Sequence, residues 1–112
     1  MSLSLNEYQK EAMSTASYPG RKTWIGLAYT GLGLGEVGEL QGKIKKILRD
    51  DNFNVSEEKR LALLAELGDV LWYVALMADE LDCTLNDVAI ANLFKLASRM
   101  ERGVIGGSGD DR

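Results

Sequence analysis

The sequence predicts an all-α protein, a helical bundle of about four helices completed across a dimer interface. Three observations carry that expectation. A single proline occurs in 112 residues, and β-branched residues are sparse beside Leu and Ala, a composition that favours helices. Good N-cap residues precede the apolar stretches. Residues 61–78 read LALLAELGDVLWYVALMA and are hydrophobic except at Glu66, Gly68 and Asp69. A helix this apolar on nearly all faces needs neighbours on nearly all sides. A chain this short has too little of itself to cover it, so a partner subunit is expected to bury the rest.

The first helix is expected over about 5–17, with Ser4 and Glu7 at capping-box spacing. Tyr18-Pro19-Gly20 ends it. The second is expected over about 24–48, followed by Asp50-Asp51-Asn52 and Phe53-Asn54 as a connection. The third starts after Ser56, with Glu57 and Glu58 in its first turn, and runs to about Leu81. The fourth follows Thr84, has Asp87 three residues later, and stops before Gly103. The length fits one domain, 1–112, with a Gly-rich tail over 104–112. In that tail Gly106-Gly107-Ser108-Gly109 reads either as a disordered end or as backbone able to wrap phosphate.

The second helix carries Gly31, Gly35, Gly38 and Gly42 within a narrow arc of a helical wheel. Glycine in a helix interior costs about 0.8–1 kcal/mol relative to Ala. The regular spacing points to close helix packing rather than to tolerated glycine. Gly33-Leu34-Gly35-Glu36-Val37-Gly38 also matches GxGxxG. It is not read as a dinucleotide fingerprint, because no βαβ unit surrounds it and Glu36 would repel a pyrophosphate unless a metal intervened.

Composition removes several function classes. The net charge is −4, which argues against nucleic acid as a partner. There is no histidine, so Ser-His-Asp sites, Cys-His sites and zinc sites of the usual kinds are excluded, as are Glu-x-x-His di-iron centres. Cys83 is the single cysteine, and it fits a reduced, cytoplasmic setting. The residues from Met1 to Lys10 are polar and show no signal peptide. The 61–78 run approaches the length of a membrane span. Two acids in its middle make it a core helix instead, with no membrane partner expected.

The chemistry is expected in carboxylates. Glu66 and Asp69 are one helical turn apart, and so are Glu36 and Glu39. On the wheel Glu36 falls among Ile25, Tyr29, Leu32, Leu40 and Ile47. A buried carboxylate is neutralised or finds a cation. Ordinary salt bridges to Lys43 would explain Glu36 and Glu39 alone. They do not explain both pairs, because 61–78 contains no basic residue. Oxygen-only ligands suit Mg²⁺, with Mn²⁺ as a substitute. In the fourth helix Asn92, Lys95 and Arg99 share one face, with Arg102 nearby. They form either a solvated basic face at a helix C-terminus or a phosphate-binding face. Trp24 and Tyr73 are either core residues or platforms for base stacking.

Glu36-Val37-Gly38-Glu39-Leu40 followed by Glu66-Leu67-Gly68-Asp69-Val70 resembles the ExxE…ExxD signature of MazG-like nucleoside triphosphate pyrophosphohydrolases. These form part of the all-α NTP pyrophosphatase superfamily, with dimeric dUTPases as relatives. Asn92-Leu93-Phe94-Lys95-Leu96 resembles the family's C-terminal helix. The resemblance implies Mg²⁺-dependent cleavage of a nucleoside triphosphate substrate to NMP and pyrophosphate. It implies that Glu36, Glu39, Glu66 and Asp69 hold the metal, one glutamate positioning or activating water. Lys95 and Arg99 would meet phosphates, and Asn92 or Tyr73 the nucleoside. It also implies a homodimer or a dimer-of-dimers tetramer, which would give the glycine stripe a use. Two readings compete: a catalytically idle helical module that binds nucleotide or protein, and a purely structural dimerisation domain without metal affinity.

Overall fold

The computed structural model describes residues 2–52, 54–103, 106, 109 and 110. Five helices follow one another: α1 (Leu5–Met13), α2 (Trp24–Gly33), α3 (Glu36–Asp50), α4 (Glu57–Glu80) and α5 (Leu85–Glu101). No strand occurs among the described residues, so the all-α class stands. The caps fall where the sequence puts them. Ser4 and Glu7 form a capping box, and Thr84 and Asp87 form a second. Ser56 accepts from Lys59 N–H. Each satisfies amides that a helix start leaves without partners.

The expected second helix is instead two, divided at Leu34–Gly35. Both residues stay in the right-handed region, but the bonds across the join shorten by one residue: Leu34 N–H to Gly31 O, Gly35 N–H to Leu32 O, Gly38 N–H to Gly35 O. Gly33 and Gly35 flank this tightened turn, where glycine weakens helix continuity. A Cβ built at Gly33 would overlap the Tyr73 ring. Glycine there lets α2 lie against α4. α2 approaches α4 closely again at Gly26, where a Cβ would collide with the Glu80 carboxylate. The predicted stripe does not serve this purpose within the chain: Cβ atoms at Gly38 and Gly42 would meet nothing.

The helix α4 is the common support, packing against α1, α2, α3 and α5. It is long and apolar enough by composition to cross a membrane, and four helices pack against it. Its C-terminal half builds the core. Ala75 and Leu76 are fully buried, in a cluster with Ala12, Tyr18 and Leu85. Its N-terminal half is less covered than the sequence suggests, with Leu61, Leu64 and Leu67 about half exposed.

Polar clamps fix the ends of the bundle. Gln9 is buried. Its Nε2 donates to Ala75 O at 3.0 Å and Cys83 O at 3.1 Å, while its Oε1 accepts from Leu85 N–H at 3.0 Å. One side chain thus joins α1, the end of α4 and the start of α5. The loop before α2 is held similarly. The Glu80 side chain has no exposed surface, and it accepts from Tyr18 OH and Lys22 N–H, each at 2.7 Å. Burial first, then the Glu80 contact, pushes the Tyr18 phenol well above its ordinary range. Arg21 pairs with Asp79 at 2.7 Å. Gly20 and Lys22 have φ of 72° and 63° in this loop, and the Glu80 bond holds Lys22 in that unfavourable region.

Candidate functional site

The break at Leu34–Gly35 starts α3 at Glu36 and puts Glu36 and Glu39 in its first turn. Free amides at a helix start favour negative charge there. α4 runs alongside and brings Glu66 opposite. One carboxylate oxygen from each of Glu36, Glu39 and Glu66 lies within 4.8 Å of the others. Asp69, one turn after Glu66, lines a cleft of about 260 Å³ with Glu36, Trp72 and Tyr73. The two sequence pairs therefore converge on one seam. They are less buried than the sequence suggests: Glu36 and Glu66 are half-buried, whereas Glu39 and Asp69 are exposed within the chain.

The electrostatics are those of crowded anions. Desolvation first, then Glu39, Glu66 and Asp69, raises the Glu36 carboxyl above its ordinary value. One cation enters the cluster. Lys43 Nζ stands 3.6 Å from Glu66 Oε1, so Lys43 serves the α4 acid rather than Glu36 or Glu39. The other Glu66 oxygen, Oε2, is buried without a hydrogen-bond partner among the described residues. An orphaned buried carboxylate oxygen requires an explanation. Beside two further carboxylates it fits a divalent cation, and the all-oxygen donor set fits Mg²⁺ or Mn²⁺.

Tyr73 sits beside the acids as its spacing from Asp69 suggests. Its phenol is raised by burial first, with contributions from Tyr29, Glu36 and Asp69. Trp72 is a wall of the same cleft that the sequence reading missed. Its place three residues after Asp69 was the available signal. Trp72 meets Tyr73 edge-on at 5.1 Å, and its Nε1–H donates to Thr15 Oγ1 at 2.9 Å. Tyr29 continues the aromatic wall, 6.3 Å from Tyr73 and stacked on Tyr18 at 4.7 Å.

The other predicted residues lie elsewhere in the chain. Trp24 is 78% exposed at the start of α2, about 14 Å along that helix from the Gly33–Tyr73 contact by helical rise. Asn92 and Lys95 line a separate shallow cleft with Cys83, Asp87, Val88 and Ala91. Lys95 and Arg99 both pair with Asp110. α5 packs on α1 and α4 rather than along the α3 seam. The suggested phosphate wrap over 106–109 falls partly outside the described residues.

Carboxylates on two adjoining helices of an all-α bundle define a class of helical proteins suited to a hard cation. Residues 28–104 match the MazG nucleotide pyrophosphohydrolase domain, and the chain belongs to that family. A relative from Mycobacterium phage L5, described as "Gene 37 protein", is 52% identical over 109 residues, covering 94% of this chain and 96% of that protein. No solved structure matches the chain significantly.

Proposed function

We propose that the protein is a Mg²⁺-dependent nucleoside triphosphate pyrophosphohydrolase acting in the cytoplasm, a single catalytic domain that clears or regulates nucleotide pools. The observation that carries this reading is the convergence of Glu36, Glu39 and Glu66 around a buried, unpartnered Glu66 oxygen. Family membership supports the nucleotide as substrate. Glu36, Glu39, Glu66 and Asp69 would hold the cation. Once bound, the cation would offset phosphate charge and lower the pKa of a water. The chain's own groups do the remainder. A carboxylate not committed to the metal accepts the proton of the attacking water. The water oxygen bonds to the α-phosphorus as the α–β anhydride bond breaks, giving NMP and pyrophosphate. Tyr73 and Trp72 offer faces for the nucleoside, and Trp24 or Asn92 would add to them from another subunit. Lys95 and Arg99, which lie on α5 away from the acid seam of their own chain, would neutralise the phosphates at another subunit's site.

An NTP and dNTP panel with Mg²⁺ in ¹⁸O-water tests the reaction. The expected products are ¹⁸O-labelled NMP and unlabelled pyrophosphate, lost on chelation. NDP with labelled orthophosphate would place attack at the γ-phosphorus and exclude this reading. Absence of turnover with retained nucleotide binding would make the chain a binding module.

The active form is proposed to be a homodimer, or two dimers paired as a tetramer. Its support is the exposed apolar surface. Leu93, Phe94 and Met100 on α5 are 65%, 73% and 72% exposed, and Leu32 on α2 is 81% exposed. The open Gly38–Gly42 stripe would admit a close helix from the partner. Light scattering at micromolar concentration should give a dimer or larger, and a monomer would contradict the proposal.

A further inference from the structure

Lys95 and Arg99 already hold an anion that belongs to the chain itself. Asp110 Oδ1 lies 3.0 Å from Lys95 Nζ and 3.0 Å from Arg99 Nη2. Arg99 Nη2 also donates to the Asp110 carbonyl at 3.3 Å and, at the limit of a hydrogen bond, to the Gly109 carbonyl at 3.5 Å. Gly103 and Gly109 have φ of 73° and 85°, conformations that glycine adopts without strain. One ends α5, and the other places its own carbonyl and the Asp110 carboxylate beside Arg99. The contact is incomplete on one side. Arg99 is buried to 5% exposure, and its Nε has no acceptor among the described residues. Asp110 thus meets one arm of a guanidinium fork that is shaped for two parallel bonds. A phosphate carries enough oxygens to meet both Nε and Nη2 and to reach Lys95 as well.

We propose that Asp110 is an internal competitor for these two cations, a tail carboxylate occupying the place of a substrate phosphate until the substrate displaces it. This rests on the reading of Lys95 and Arg99 as phosphate-binding residues. The Asp110 carboxyl is held below its ordinary range by Lys95 first and Arg99 next, so it stays anionic and competes at neutral pH. Although Arg99 is buried, the Asp110 side chain is 79% exposed, so solvent screens its pairs and weakens them. Asp110 is therefore displaceable by an incoming anion.

The test is Asp110→Asn, which keeps the side-chain shape and removes the charge. Binding of inorganic triphosphate, measured by calorimetry at fixed Mg²⁺, should tighten about three-fold, the range expected for losing weak exposed pairs. KM for the preferred triphosphate should fall by a similar factor with kcat unchanged. Placed on Lys95→Ala/Arg99→Ala, the same substitution should change nothing further. If Lys95→Ala and Arg99→Ala weaken triphosphate binding but Asp110→Asn leaves it unchanged, the competition is excluded and the phosphate role stands. If neither cation substitution affects triphosphate binding, the phosphate role itself fails and the inference goes with it.

Discussion

Glu39→Gln and Asp69→Asn are expected to cut pyrophosphate release by roughly a hundred- to a thousand-fold, the scale on which a positioned electrostatic group contributes to a transition state. Each substitution keeps the side chain's shape and removes one negative charge. Glu39 supplies one of the three converging oxygens, and Asp69 faces Glu36 across the cleft. Both are exposed within the chain, so the fold should survive, and circular dichroism should show unchanged helix content. An amide variant with near-normal turnover would remove that residue from the site. Glu36→Gln adds a check on sign. The Glu36 carboxyl is raised in the folded chain, so the native state holds its proton more tightly than the unfolded chain does. Ionised Glu36 therefore subtracts stability above the unfolded glutamate pKa, and protonation removes that penalty below about pH 4. The metal-free Glu36→Gln protein should melt higher than wild type at pH 7, with the advantage vanishing on acidification. An unchanged difference across that range would contradict the crowding of the carboxylates.

Gln9→Ala should give the largest loss of stability among the polar residues, about 2–4 kcal/mol in urea unfolding. The side chain satisfies two carbonyls and one amide from three segments. Its removal strands groups that buried backbone rarely leaves unpaired. Gln9→Glu separates this cause from simple loss of volume. A carboxylate can still accept from Leu85 N–H but has no donor for Ala75 O and Cys83 O. It should therefore be nearly as damaging as Ala at neutral pH. A change below about 0.5 kcal/mol in both variants, the level of an ordinary surface substitution, would show that the clamp carries little stability.

What was legible in the sequence is what local chemistry decides. Ser4 with Glu7 and Thr84 with Asp87 mark helix starts, because both partners lie within four residues. The carboxylate pairs were legible for the same reason: a three-residue spacing fixes a face. The break at Leu34–Gly35 was not, although the glycines hinted at it. The fit of α2 against α4 depends on the Tyr73 ring occupying the place of a side chain at Gly33, and that is decided by another helix. Gln9 looked like any polar residue of a short helix, since its three partners are more than sixty residues away. The absence of a basic residue in 61–78 was legible, but not that Lys43 of α3 reaches Glu66 across the seam. Lys95 and Arg99 were legible as one face, but their contact with Asp110 was not, because no local spacing rule links residues eleven or more positions apart.

The arrangement in which every helix leans on α4 has a thermodynamic consequence. α3 shares its one extended seam with α4, and it joins α2 through a weakened turn. Carboxylates crowd one end of that seam, and their repulsion, offset in part by the Lys43–Glu66 pair, works to part it. Detaching α3 and parting the three converging carboxylates are then one event with one free energy. If the proposed cation binds there, the local stability of α3 becomes a direct component of its affinity. A substitution that firms the α3–α4 seam far from any carboxylate tightens the site without touching a ligand, and one that loosens it weakens the site equally silently.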